Sequence, residues 1–275
     1  SCDFLTDVAV ELPLQAVATL IGVPDADRHL LLGWSNAILD YEGRELGETS
    51  APAAEAAASL SAYATELVRE RRAHPGDDLV SVLARAEVPG PSGAPEPLSE
   101  LDLVMFFNLM VAAGTETTRN SIALGMVALV EHPDQLADLT ADRDLLEPAT
   151  EEILRWTSAT LYNRRTATVP VEVGGSRIAA GDKVTLWWPS ANRDEAVFER
   201  PFDFDIRRTP NPHLSFGHGG HFCLGANLAR LEIRVVFDEL LDRLCDFELT
   251  GPVRRVRTNK HAGVWRVPMR FSTRS

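Results

Sequence analysis

Phe216-Gly217-His218-Gly219-Gly220-His221-Phe222-Cys223-Leu224-Gly225 is the densest chemical signal in the chain. One Cys stands among four glycines, and residues 224 to 244 behind it read as an amphipathic helix. Cys223 is therefore expected immediately before a helix. Free N–H groups and the helix dipole favour an anion there, so the thiol is expected to ionise easily. A thiolate is what a soft metal ion needs as a ligand. The glycines remove side chains, so a flat ligand can lie against the backbone. His221 and several Arg offer positive partners for acidic groups on such a ligand. Two other readings compete. One is a Gly-rich turn around a buried Cys. The other is a zinc site made from His213, His218, His221 and Cys223, which lacks the usual ligand pairing and gives no reason for the glycine.

The rest of the 275-residue chain narrows the choice of function. Its 40 acidic and 27 basic side chains leave a net charge of -13. General binding to nucleic acid or an anionic membrane rests on clustered positive charge and is not expected. No run of 18 or more apolar residues occurs, so no membrane span is expected. Three widely spaced Cys argue against a disulfide scaffold and for a reducing, cytoplasmic compartment. Cys2 and Cys245 lack the surroundings of Cys223 and are read as inert.

Residues 3 to 23 read as a helix, and 25 to 75 as two more. Pro89 to Pro97 reads as a surface loop on composition. Ser99 and Asp102 form a variant capping box opening a helix that runs to Glu131, roughly 48 Å at 1.5 Å per residue. That helix is apolar on most faces between Leu101 and Ala113, as a helix crossing the protein's middle would be. A shorter helix covers about Leu145 to Trp156. From Thr166 the period changes to a hairpin across Gly174-Gly175 and a strand from Lys183 to Trp188. Residues 190 to 222 have little periodicity, and the last 25 residues read as short strands. The fold class is mainly α with a small β part.

Two more stretches carry chemistry. In Ala113-Gly114-Thr115-Glu116-Thr117-Thr118, glycine and three Thr sit inside the long helix, where they are poor choices. Thr hydroxyls can bond back one turn and bend the axis. Glu116 among them offers a proton path from water to a buried point. A helix start capped by Thr115 is the competing reading. In Glu152-Ile153-Leu154-Arg155, the acid and base meet on one helix face. Alone, that spacing is more often a solvated surface pair.

Together these stretches resemble the cytochrome P-450 family over nearly the whole chain. Phe216-x-x-Gly219-x-His221-x-Cys223-x-Gly225, continued by Leu228-Ala229-Arg230, looks like its haem-binding loop. The resemblance implies the P-450 fold, its C-terminal two-thirds, as one domain over 1–275. It implies haem b with Cys223 as axial iron ligand. Phe216, Gly217, Gly219 and Gly225 would form the haem loop. His221 and Arg165 would bind propionate, with the adjacent Arg164 a second candidate. Ala113 and Gly114 would leave room for dioxygen, and Glu116 and Thr117 would be the acid–alcohol pair delivering protons. Leu109 and Met110 would face haem or substrate, and Thr160 and Leu161 would line the substrate pocket. Glu152 and Arg155 would be a buried structural pair, with Arg208 its third partner.

Members of this family carry a substantial N-terminal part ahead of the region matched here, so the chain is expected to be N-terminally incomplete. The implied activity is insertion of one oxygen atom of O2 into a C–H bond of an apolar small molecule, steroid-like, lipid-like or a natural-product intermediate. Electrons would come from a ferredoxin-type donor with its NAD(P)H reductase, docking on a basic patch of Arg207, Arg208, Arg230 and Arg234. A non-catalytic P-450-like scaffold and the zinc module are the alternatives.

Overall fold

The computed structural model describes residues 1–38, 49–90, 92–256, 258 and 261–274. In chain order, β1 (Cys2–Asp3) precedes α1 (Glu11–Leu20), α2 (Arg28–Ile38), α3 (Ala51–Ala73) and α4 (Leu79–Ala84). The hairpin β2 (Glu87–Pro89) and β3 (Pro95–Pro97) leads into α5 (Glu100–Glu131), α6 (Pro133–Ala141) and α7 (Leu146–Thr157). Then come β4 (Tyr162–Thr166), β5 (Val171–Val173), β6 (Ser176–Ile178), β7 (Lys183–Trp187), α8 (Trp188–Ala191) and α9 (Ala226–Arg243). The chain closes with β8 (Leu244–Leu249), β9 (Arg254–Arg255), β10 (Val264–Arg266) and β11 (Pro268–Thr273). The fold is mainly helical with small two- and three-stranded sheets. Among the described residues, no helix is long and apolar enough to cross a membrane.

Several expectations need correcting. Cys2 and Asp3 are not helical but pair with Met269 and Pro268, adding β1 to the edge of β11 and β8. The stretch from Pro89 to Pro97 is a hairpin stem, Glu87 opposite Pro97 and Pro89 opposite Pro95, although composition read it as plain loop. Pro91, and the residues 39–48 between the two helices read in 25–75, lie outside the described residues. Strand β4 was not foreseen, because Tyr-Asn-Arg-Arg-Thr shows no alternation of apolar and polar side chains. It pairs with β7 over five residues, Tyr162 opposite Trp187 to Thr166 opposite Lys183.

The chain clusters into two compact units, Thr6–Arg119 and Ser1–Leu5 with Asn120–Ser275. The first is built on α1 to α4 and the first twenty residues of α5. Ser99 and Asp102 cap α5 reciprocally, the Ser99 N–H donating to Asp102 Oδ2 at 3.1 Å and the Asp102 N–H to Ser99 Oγ at 3.1 Å. The core of this unit gathers Leu14, Val17, Ile21, Leu60, Leu67, Phe107 and Val111. The early part of α5 is apolar on its outer side as well as its inner one: Leu103, Val104, Phe107 and Val111 face inward, whereas Leu101, Met105 and Leu109 are exposed.

Close approach of α1 and α5 needs Gly114. A Cβ there would lie 2.5 Å from Val17 Cγ2, and a β-branched Val cannot easily turn aside. Packing therefore explains this glycine in the structure. Gly114→Ala is expected to lower stability by about 1–2 kcal/mol, the overpacking cost exceeding the gain in helix propensity. Thermal unfolding would check it, with Val17→Ala in the same chain restoring most of the loss.

The second unit packs α7 against α9 and the buried later part of α5. A Cβ on Gly125 would meet Ile153 at 2.7 Å and Phe237 at 3.2 Å, so these helices also touch closely. The irregular stretch after α8 lies in this unit, and with it the Cys223 loop.

Candidate active site

The irregular stretch is held by buried charge. Glu152 and Arg155, one turn apart on α7, are fully buried. Arg155 donates from Nε and Nη2 to the two Glu152 oxygens, both at 2.7 Å. Its remaining N–H groups reach the carbonyls of Asn192 and Pro201 at 2.9 Å and of Asp203 at 3.0 Å. All five donors of the guanidinium are used. Arg208 joins from the far end of the stretch, Nε to Glu152 Oε2 at 3.1 Å, and spans carbonyls of Glu199, Arg200 and Asp203. Glu152 also accepts from the Asp205 N–H at 2.8 Å and from Asn211 Nδ2 at 3.0 Å. The structure thus brings together Glu152, Arg155 and Arg208.

A second anchor was given no role by sequence reasoning. Asn192 is fully buried; its amide nitrogen donates to Ser158 Oγ and Ser215 Oγ, both at 2.9 Å, and its Oδ1 accepts the Leu214 N–H at 2.7 Å. Ser215 Oγ donates to the Leu154 carbonyl at 2.7 Å. The approach to the Cys loop is pinned to α7 by these bonds. The sequence hint was that Ala191-Asn192-Arg193-Asp194 and Asn211-Pro212-His213-Leu214 both resemble stretches of the P-450 family.

The loop itself turns tightly. Gly217 and Gly219 have φ of 73° and 77°, a region L side chains avoid. The Cys223 N–H donates to the Phe216 carbonyl at 2.9 Å and closes the loop. Cys223 is exposed, and so are Phe222 at 53% and Leu224 at 77%. A Cβ on Gly219, Gly220 or Gly225 would meet nothing within 4 Å. The competing readings fare poorly here. The Cys is not buried. His213 is committed to Glu151 at 3.0 Å, and among the described residues no group of three or more His, Cys, Asp or Glu is placed to hold a metal ion.

Ease of ionisation is a further correction. Although Cys223 is exposed, partial desolvation by the surrounding loop pushes its thiol up from the ordinary value, against the Gly225 N–H and Arg230, which pull it down. The helix α9 begins only at Ala226, with Gly225 as its cap, so Cys223 does not immediately precede it.

Arg165 and Arg164 are separated by strand geometry, since neighbours on β4 point to opposite faces. Arg165 shares the face of Asn163, whose Oδ1 accepts from Trp188 Nε1 at 2.8 Å. Trp188 in turn stands beside Gly217. Arg165 Nη1 donates to the Arg164 carbonyl at 3.1 Å. His221 is exposed in that loop.

On α5, Thr117 Oγ1 donates to the Ala113 carbonyl at 2.8 Å, as the sequence suggested. Thr115, Glu116 and Thr118 are buried, and α5 runs unbroken through them, so this is no helix start. Ala113 and Leu109 are exposed, but Met110, expected at the pocket, packs partly against the core of its unit. Leu161 lines a 480 Å³ cleft with Leu124, Val127, Trp156 and Arg193. Thr160 bridges to His261.

Two cations of the expected basic patch are spent internally: Arg208 is buried on Glu152 and Arg230 pairs with Glu151, whereas Arg207 stays half exposed beside Asp138 at 2.8 Å. Also unforeseen is Glu232, buried at 4% exposure on α9 with Oε2 unpartnered and pushed up to about 7 by burial. From about pH 4.5 to about 7 the folded chain keeps a proton that the unfolded chain releases, so stability falls as pH rises across that window. The fall is expected to reach up to about 3 kcal/mol. Urea unfolding at either end of the window should show it, and Glu232→Gln should flatten that part of the profile.

The family model for Cytochrome P450 matches residues 14–270, and the chain belongs to that family. A methyl-branched lipid omega-hydroxylase of Mycobacterium tuberculosis is 45% identical over 98% of this chain and 62% of that protein. A steroid C26-monooxygenase of Rhodococcus jostii is 41% identical over 99% and 56%. The cytochrome P450 CYP268A2 of Mycobacterium marinum, solved in complex with pseudoionone, superposes with a TM-score of 0.89 at 39% identity, covering 98% of this chain and 64% of that one. The chain thus spans about three-fifths of the length of these curated relatives. The family is one of haem–thiolate proteins that use haem b. The loop fits that group: an exposed sulfur, open space over three glycines, and exposed Phe222 and Leu224 for an apolar macrocycle.

Proposed function

We propose that this chain is the iron-ligand part of a haem–thiolate monooxygenase acting on an apolar small molecule. The observation that carries the reading is the exposed Cys223 sulfur in a glycine loop whose approach is anchored to α7 by buried hydrogen bonds. Cys223 would be the iron ligand, His221 and Arg165 would take the propionates, and Phe216, Gly217, Gly219 and Gly225 would floor the site. Bound there, haem would supply the activation of O2 for insertion of one oxygen atom into a C–H bond. Glu116 would hold a proton and Thr117 would pass it on, its hydroxyl oriented by the bond to the Ala113 carbonyl.

Leu161 and its cleft, with Thr160 and Leu109, are proposed to contact substrate. The names of the lipid and steroid relatives favour a lipid-like or steroid-like substrate over another natural product. The electron donor would be a ferredoxin-type protein with its NAD(P)H reductase, in the cytoplasm, recognised through Arg234 and Arg207 and not through the buried Arg208. The test is the absorption spectrum of the reduced, CO-treated protein. A Soret band at the position of thiolate-ligated haem is expected; no Soret band would overturn the reading in favour of a non-catalytic scaffold.

A further inference from the structure

Beneath the Cys loop lies a group of charges that haem ligation does not itself require. Glu151 precedes the buried Glu152 on α7. Its Oε1 accepts from Arg230 Nε at 2.7 Å and its Oε2 from Arg230 Nη2 at 2.9 Å, a bidentate pair. Oε2 also accepts from His213 Nε2 at 3.0 Å, while His213 Nδ1 takes the Ser215 N–H at 3.2 Å. Burial alone would raise Glu151, but His213 and Arg230 outweigh it and hold the carboxyl down at about 2, so it stays ionised. Arg230 is thereby laid over the Phe216 ring, its guanidinium carbon 4.6 Å from the centroid. The carbonyl of Phe216 is the one that receives the Cys223 N–H. Arg230 also acts electrostatically on the Cys223 sulfur.

We propose that Glu151 is a positioning residue: it fixes the Arg230 guanidinium against Phe216, where the cation stabilises negative charge on the Cys223 sulfur and on the haem it ligates. The inference rests on the haem–thiolate reading above. It assigns Arg230 to the inner electrostatics of the ligand loop and takes it out of the partner-docking patch.

The sign of one measurement separates positioning from simple charge. The test is the one-electron reduction potential of the haem-loaded protein, titrated with redox mediators. Arg230→Gln removes the cation and should disfavour the reduced form about threefold, roughly 28 mV lower at 59 mV per tenfold for one electron. Glu151→Ala removes an anion, so acting by charge alone it would raise the potential. Acting by positioning, it releases Arg230 to solvent and should lower the potential as Arg230→Gln does. The double variant should lie no lower than Arg230→Gln alone, and Glu151→Asp, which keeps the carboxylate, should recover part of the shift and serves if Glu151→Ala fails to fold. A raised or unchanged potential in Glu151→Ala, or in Glu151→Asp should that be the variant measured, overturns the inference while leaving haem ligation intact. Absence of a Soret band in the unsubstituted protein overturns the haem reading instead.

Discussion

Cys223→Ser is expected to abolish the thiolate-type Soret band of the reduced CO complex while leaving the fold nearly untouched. Cys223 is exposed and a hydroxyl is a small change there, so the change in stability should stay within about 0.5 kcal/mol. A neutral hydroxyl cannot replace a thiolate as a strong donor to iron. The pairing of a lost spectrum with an unchanged melting curve is the diagnostic result. An unchanged spectrum would remove Cys223 from the site altogether, and a lowered melting temperature would show the loop to be structural.

The opposite pattern is expected at Glu152. Its carboxylate takes five hydrogen bonds, from Arg155 twice, Arg208, Asp205 and Asn211. Removing it in Glu152→Ala strands two buried cations. Breaking a buried pair in this way costs about 3–5 kcal/mol. Against a total stability of about 5–15 kcal/mol, that loss is severe. We expect little soluble protein and a strongly lowered melting temperature, with any surviving protein taking up haem poorly because the approach to the Cys loop has lost its anchor. Glu152→Asp should fall between, since the shorter side chain cannot reach Arg155 and Arg208 together. Normal stability in Glu152→Ala would mean that the network contributes much less than its geometry implies.

Much of this was legible in residues alone. The reciprocal cap of Ser99 and Asp102, the full span of α5 and the Glu152–Arg155 spacing depend on local chemistry, and a sequence displays local chemistry directly. What stayed hidden depends on partners far along the chain. Glu151 and Glu152 look alike in sequence, yet one reaches Arg230 and the other Arg208. Nothing near Asn192 announces that it will hold Leu214 and Ser215. Strand β4 was invisible because its pairing with β7, and not its own pattern, makes it a strand. Gly114 had a reading from resemblance, but its packing against Val17 needed coordinates.

The guanidinium groups of Arg155 and Arg208 grip main-chain oxygens between Asn192 and Asp203, and Arg155 also lies over the Phe198 ring. The spelling of that segment is therefore free to drift in evolution at Glu195, Ala196 and Val197, all exposed, while its length is not. One inserted residue would slide several carbonyls out of reach together, so this coil should tolerate exchange of letters far better than any change in their number.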